Sequence, residues 1–426
     1  LFSLLLPLLI SGSLGCNGQQ IESNQKPELR GRVVTGYQGW FHTPNDGMEL
    51  GFGHWGKDRK FDRQNVTIDY WPDMSEYSEA EKHPTDFRHA DGSVAHVFSS
   101  ANPRTVERHF QWMADYGIGG AMAQRFVQPL KDPKGLRFRN TVLQNVRDAS
   151  EKTGTPWALM YDLSGIQAGE PQKLLIEDLR NLIRDTGFHK DTHYLHHDQK
   201  PLLSIWGIGF SGDNRKYSLD DCIEMVRIIQ KDPELGKFAI MLGVPYRWRE
   251  LQGDAVNNPK LLEMLAGVDI VSPWSVGRMR TLEDIDKKAK PTLIADSEWT
   301  KQKEVSYLPV IYPGFSWANL KRQQGNADEP MAGFDAIPRL EGRFLWQQAV
   351  ESIKSGQAEM IYIAMFDEVD EGTTIFKVTN NLPTGPTRFL AYDNVRPDHY
   401  LWLSGQVQKA LKRDTPLNQA MPTRPR

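Results

Sequence analysis

Cysteine is almost missing from this sequence. Only Cys16 and Cys222 occur among 426 residues, which excludes a disulfide framework and a metal site built from cysteine. Neither sign of charge dominates: 51 basic residues face 54 acidic ones, for a net charge of −3. That balance lacks the electrostatic footprint of a protein that binds nucleic acid or a charged membrane surface. Long apolar runs are confined to the start, where the first 15 residues, "LFSLLLPLLISGSLG", are too short to span a bilayer as a stable helix. There is no internal repeat and no low-complexity tract. No Gly-x-Gly-x-x-Gly follows the first candidate strand, which weakens a dinucleotide-binding reading. What is present, with 39% hydrophobic and 10% aromatic residues, suffices for a large core and points to a neutral partner.

The apolar start runs through small residues into Cys16, the pattern of a lipoprotein signal peptide. An ordinary cleaved signal is the alternative. Residues 1–16 are read as that signal, and 17–30 as a flexible tether, because "NGQQIESNQKPELRG" is polar and without period. Residues 31–415 form one folded domain, and 416–426 a polar tail. The expectation is an exported protein, lipid-anchored at Cys16 to the cell envelope (outer membrane or cell surface), otherwise periplasmic or secreted. The membrane would then be a partner through the lipid alone, and nucleic acid is not a partner. Cys222, at helical spacing in "LDDCIEMVRII", reads as a small core residue.

From residue 31 onward, apolar runs bounded by Gly, Pro or charge alternate with amphipathic stretches. The runs are "RVVTGYQGW", "GIGGAMAQRF", "PWALMYDLS", "PLLSIWGIG", "KFAIMLGV", "VDIVSPW", "YLPVIYPGF" and "AEMIYIAMF". Between them lie helix-like segments such as "PRTVERHFQWMADY" and "PQKLLIEDLRNLIRD". This alternation predicts a (β/α)₈ TIM barrel with a long first βα insertion over 42–100. "ADSEWTKQK" (295–303) is a rival strand, and a doubly wound open sheet is the alternative architecture.

In such a barrel the chemistry sits where the strands end. The residues following the runs are Tyr37, Gln38 and Trp40; Gln124 and Arg125; Tyr161 and Asp162; Trp206; Tyr246, Arg247 and Trp248; Trp274; Tyr312, Phe315 and Trp317. Aromatic faces suit the C–H faces of sugar rings, and carboxylates, amides and Arg suit their hydroxyls. The competing explanation is that these aromatics only pack loops onto the barrel.

The last run ends in "MFDEVDEGTTIF" (365–376), with Asp367, Glu368, Asp370 and Glu371. A calcium loop is disfavoured, since the order of acids does not follow D-x-[DN]-x-[DN]-G. A solvated charge run is the second possibility, though the acids follow an apolar strand directly and precede Gly372. Catalysis is the third and preferred one: Glu368 and Glu371 stand at i and i+3, a spacing at which a turn brings their Cα atoms within about 7 Å. Paired carboxyls are what glycoside hydrolysis with retention uses. "HYLHH" (193–197) invites a zinc hypothesis, but it precedes the fourth run and belongs to the opposite face of the barrel. Asp296 and Glu298 in "ADSEW" would add a carboxylate to the cleft if they ended a strand.

Four motifs in order, "YQGWFHTP" (37–44), "GHWGKD" (53–58), "HHDQKPLLSIWG" (196–207) and "FDEVDEGT" (366–373), resemble glycoside hydrolase family 99, the endo-α-mannosidases, and the related family 71. The likeness is greatest to secreted bacterial 71/99-like proteins and extends over most of residues 32–405. It implies a glycoside hydrolase-like catalytic domain with no metal or other cofactor. It also implies an oligo- or polysaccharide partner and retention through the sugar's own 2-hydroxyl, by way of a 1,2-anhydro intermediate. Carried onto this chain, Glu368 would be the base on that hydroxyl and Glu371 the acid and later the base. The resemblance further implies sugar contacts from Tyr37, Gln38, His54 and Tyr161. Arg125, Trp206, Tyr246, Trp274, Trp317 and Asp367 join them as expected substrate-binding residues from the rim. The chain departs from the endo-α-mannosidases, which carry Asn-Glu-Trp: here Asp367 and Val369 replace the Asn and Trp, and Asp370 precedes Glu371. The alternative function is a non-catalytic carbohydrate-binding lipoprotein on the same barrel.

Overall fold

The structure, a computed structural model, describes residues 25–212, 215–235, 238–392 and 394–425. The expected signal segment with Cys16, and residues 17–24 of the expected tether, lie outside them. Each of the eight apolar runs becomes strand: β1 (Val33–Tyr37), β4 (Gly120–Phe126), β5 (Trp157–Asp162), β7 (Lys200–Trp206), β8 (Ala239–Pro245), β9 (Ile270–Trp274), the pair β10 (Ser306–Tyr307) and β11 (Val310–Ile311), and β12 (Ile361–Ile363). Two small hairpins account for the remaining strands, β2 (His83–Arg88) with β3 (Val94–Val97) inside the first insertion, and β6 (His196–His197) leading into β7.

Neighbours pair in parallel in chain order, from β1 through β4, β5, β7, β8 and β9 to β10, and from β11 through β12 back to β1. β10 and β11 are halves of one run, parted at Leu308-Pro309 because proline has no N–H to give a ladder. The ladder continues across the break: Leu308 N–H donates to Val271 and Tyr362 N–H to Pro309, each at 3.0 Å. The sheet therefore closes on itself as a (β/α)₈ barrel.

Helices fill the crossovers for reasons readable in their ends. The helix Pro103–Tyr116 starts at Asn102, whose side chain accepts from Arg104 N–H, has Pro at its first position, and stops at Gly117. Its buried face, Val106, Phe110 and Met113, repeats at the helical period and lies against the barrel. All of "ADSEWTKQK" but its last residue lies in the helix Lys290–Gln302, so the rival strand is excluded.

Side chains alternate across each strand. Tyr362 Oη lies 3.8 Å from Met160 Sδ, Gln124 Nε2 is 4.0 Å from Met365 Sδ, and Ser204 Oγ is 3.8 Å from Met122 Sδ. Met122, Gln124, Met160, Ser204 and Tyr362 thus share the barrel interior. Their immediate neighbours in sequence face the helices.

Both ends of the described residues are docked. Residues 25–30 belong to the expected tether, yet Leu29 is fully buried, its N–H donates to His196, and His196 N–H donates to Pro27. In the expected polar tail, Asn418 accepts from Trp346 Nε1 (3.1 Å) and Arg424 binds Asp398 through both terminal nitrogens (2.7 and 2.8 Å). Apolar residues explain both departures: Leu29, Leu417 and Met421 cover core surface that water would otherwise meet.

The helix His399–Leu411 crosses Pro103–Tyr116 closely enough that a Cβ at Gly405 would stand 2.0 Å from the Tyr116 carbonyl oxygen. Gly405→Ala must push the two apart, and urea denaturation is expected to show a loss of about 1–3 kcal/mol. An unchanged midpoint would mean this crossing is not tightly packed.

Candidate active site

The acid segment is folded back on itself beyond β12. Met365 N–H donates to Thr373 (3.1 Å), Thr373 N–H to Glu368 (3.2 Å) and Ile375 N–H to Met365 (3.0 Å). The peptide between Ala364 and Met365 is cis. Gly372 takes φ 65°, and a Cβ there would meet the Ser316 backbone at 2.6–2.7 Å, so the turn requires glycine. Beneath it the buried Arg339 donates to the carbonyls of Gly372 (2.8 Å) and Thr374 (2.7 Å). Its guanidinium lies over the rings of Tyr70, Tyr392 and Tyr400 at 4.6–4.8 Å.

The four acids have four different environments. Asp367 is fully buried and accepts the backbone N–H groups of Gln38 (2.7 Å) and Gly39 (2.9 Å), one on each oxygen. Glu368, 5% exposed, accepts from Gln38 Nε2 (2.6 Å) and Thr373 Oγ1 (2.5 Å), again one per oxygen. Asp370 meets His54 Nδ1 at 3.0 Å through one oxygen. Glu371 is half-buried, and its carboxylate makes no hydrogen bond to a described residue.

Burial raises the pKa of Glu368 well above the usual carboxylate range, with the charges of Glu371 and Asp370 adding to it and the bonds from Thr373 and Gln38 opposing. Burial and Asp370 lift Glu371 to about 7, against the pull of Lys321. Glu368 and Glu371 therefore hold a proton between them up to neutral pH. Asp367 is also pushed up to about 7 by burial, despite its two amide bonds.

Against this loop, joined to it through His54, lies a stack: His54 lies flat on Trp40, with ring centroids 3.9 Å apart and planes 8° apart, and Trp40 lies on Phe126 at 5.2 Å. Farther round, Trp206 and Trp274 meet edge to face at 5.5 Å, both half-buried. Asp162 sits on the inward parity of β5, with its carboxylate on Ser164 N–H (2.7 Å).

Several expected substrate contacts face the other way. Tyr37 is buried against the helix layer, its hydroxyl 3.0 Å from His109 Nδ1. Arg125 and Tyr161 are partners in register on β4 and β5, and both reach outward to Asp178 at 2.6 Å. Arg125 and Asp178 line an external groove of about 390 Å³ between the helices Pro133–Thr153 and Ile176–Thr186, outside the barrel and apart from the acids. Tyr246 packs beneath the helix Lys290–Gln302 beside Thr292 and Leu293. Asp367 is sealed in the joint between β1 and β12. Parity and burial thus remove Tyr37, Arg125, Tyr161, Tyr246 and Asp367 from the rim. Asp296 lies on the helix Lys290–Gln302, bonded to Arg249 and Trp248 rather than to the acid loop.

The remaining expected residues are near the rim, with roles refined. Gln38 aims at Glu368, His54 at Asp370, and Trp317 packs against Phe315 with its Nε1 on the Met331 carbonyl (2.7 Å). His196 and His197 lie at the N-terminal end of β7, away from the acids. Two contributors were not singled out from sequence: Thr373, the second donor to Glu368, and the pairing of Asp370 with His54. The first was hidden in a bend whose backfolding no local pattern signals. The second joins residues 316 positions apart.

No protein-family model matches the sequence, and no curated protein matches it. Solved structures do. A family GH99 endo-α-mannosidase from Bacteroides thetaiotaomicron, in complex with bis-tris-propane, aligns with a TM-score of 0.64 at 15% identity, over 91% of this chain and 98% of its own. A second structure of that GH99 enzyme gives 0.64 at 15% identity, over 90% and 98%. A glycoside hydrolase-like protein gives 0.50 at 14% identity, over 81% and 95%. The chain thus has the (β/α)₈ barrel fold of glycoside hydrolases. Within that class the GH99 endo-α-mannosidase aligns over nearly its whole length.

Asp367→Ala would strip the acceptors from two buried amides and open a void beside Glu368. A loss of about 2–5 kcal/mol is expected in equilibrium unfolding. A change below 0.5 kcal/mol, on the order of a surface substitution, would show that the joint is not needed.

Proposed function

We propose that this protein is a retaining glycoside hydrolase, endo-α-mannosidase-like, that cleaves α-linked glycans with Glu368 and Glu371. The observation that carries this reading is the contrast within the pair. Glu368 is buried and held on both oxygens by side-chain donors, whereas the carboxylate of Glu371, three residues on and half-buried, has no hydrogen-bond partner among the described residues.

A carboxyl fixed by two donors keeps one orientation, and the burial that raises its pKa makes its ionised form, reached when the proton shared by the pair sits on Glu371, a strong base toward a hydroxyl at a defined place. A partly exposed carboxyl that holds its proton to about pH 7 suits donation to a leaving oxygen. In the first step Glu368 takes the proton of the sugar 2-hydroxyl, O2 attacks C1, and the glycosidic C1–O bond breaks as Glu371 protonates the departing oxygen. In the second, water loses a proton to Glu371 and attacks C1 of the 1,2-anhydro sugar; the C1–O2 bond opens and Glu368 returns its proton to O2. Two inversions at C1 amount to retention. The 2-hydroxyl must lie anti to the leaving group, which α-mannosides satisfy. Gln38 and Thr373 act as positioning residues for Glu368, while the half-buried Trp206 and Trp274 offer ring surface to sugars. We also infer that the protein is exported and held to the envelope by lipid on Cys16.

Release of products from a panel of α-mannans and other α-linked glycans tests the reading, with Glu371→Gln in parallel. Cleavage by the native protein should fall at least roughly 100-fold in the variant. Turnover should also decline as pH rises through about 7, where Glu371 gives up the proton it donates. Glycan binding equal in both proteins, with no cleavage by either, would instead establish a carbohydrate-binding protein.

A further inference from the structure

Asp370 is the one acid of the loop whose partner comes from the first βα insertion, and the pairing constrains more than position. A carboxylate can only accept, so the contact between Asp370 Oδ2 and His54 Nδ1 at 3.0 Å requires the proton of the imidazole to sit on Nδ1. The other oxygen, Oδ1, is buried with no partner among the described residues, so the histidine is the only side chain that Asp370 engages. The ring itself is held in place. It lies flat on Trp40 at 3.9 Å, its residue takes φ 62°, and its carbonyl accepts from Thr67 Oγ1 at 2.8 Å. Its side chain remains 37% exposed, and Nε2, on the far side of the ring from Asp370, bonds to no described residue.

We propose that Asp370 is a positioning residue that acts through His54. It locks the Nδ1–H tautomer so that Nε2 presents a fixed acceptor to a hydroxyl of the bound sugar. The identity of the ligand as a sugar rests on the function proposed above; the fixed tautomer does not. Charged and titratable groups that face the dyad are Asp367, Glu368 and Glu371 on the acid loop and His42 on the insertion. Burial keeps His42 neutral down to about pH 4, so it brings no positive charge near His54 at neutral pH. The stacked indole supplies no competing donor or acceptor to Nε2 from its face. The arrangement therefore selects a hydrogen-bond donor, and a neutral sugar hydroxyl fits.

The first readout is the nitrogen spectrum of ¹⁵N-histidine-labelled protein, with His54 assigned by its loss in His54→Gln, at a pH where the ring is neutral. The native protein should show His54 as the Nδ1–H tautomer, Asp370→Ala an averaged or reversed tautomer, and Asp370→Asn, whose amide oxygen can still accept, the native one. The second readout is binding of α-mannan oligosaccharides in the Glu371→Gln background, where no turnover interferes. Asp370→Ala should weaken binding about tenfold, the equivalent of one hydrogen bond, and Asp370→Asn should restore most of it. An Nε2–H tautomer in the native protein, or an identical tautomer in the native and Asp370→Ala proteins, overturns the proposal. So does unchanged affinity in Asp370→Ala. Failure of the native protein to cleave any glycan would defeat the hydrolase reading alone, because the tautomer and the binding are measured without turnover.

Discussion

A single carboxylate joins the first and last strands of the barrel at the end where the acids gather. Asp367 takes the amides of Gln38 and Gly39, one on each oxygen, while Phe366 N–H donates to Gly36 at 2.7 Å. Three bonds thus fasten β1 to the loop beyond β12. The same joint places the Gln38 side chain against Glu368, so closure of the barrel and orientation of an acid are one event. The resemblance to endo-α-mannosidases puts an asparagine at this position. An amide side chain has one acceptor oxygen and cannot give each backbone N–H an oxygen of its own. Asp367 gives each of the two amides an oxygen of its own, at the cost of burying an acid.

The barrel was legible because it is written in a period. Eight apolar runs punctuated by Gly, Pro and charge, separated by amphipathic stretches, leave few arrangements that bury both faces of a parallel sheet. The first insertion was least legible: its hairpin and turns are built from contacts such as Trp55 Nε1 with the Phe98 carbonyl, and no residue near Trp55 announces them. The seventh strand was found although it is split, since Leu308-Pro309 interrupts the hydrogen bonding and leaves the apolar run intact.

The site was legible in its elements but less so in its members. Choosing residues by nearness to a strand end brings in both faces of the strand, and Tyr37, Arg125 and Tyr161 were chosen in this way. Each is one position out of phase with an inward neighbour: Gln38, Gln124 and Asp162. The period of two that identified the strands already contained the distinction. By contrast, no local rule reveals that Glu368 is gripped by Thr373, or that Asp370 is reserved for His54. Those facts depend on how a loop doubles back and where a distant insertion comes to rest.

The docking of residues 26–30 sets a direction for the whole molecule. Leu29 is pinned to His196 and Gly31 to Glu359, both at the ends where the strands begin. The acids stand where the strands finish, roughly 20 Å away along seven-residue strands. The polypeptide therefore enters through the floor of the barrel, and its working end is the ceiling. The point at which residues 26–30 join the fold and the loop that carries the four acids thus stand at opposite ends of the barrel, so the attachment of this segment leaves the aromatic rim unobstructed.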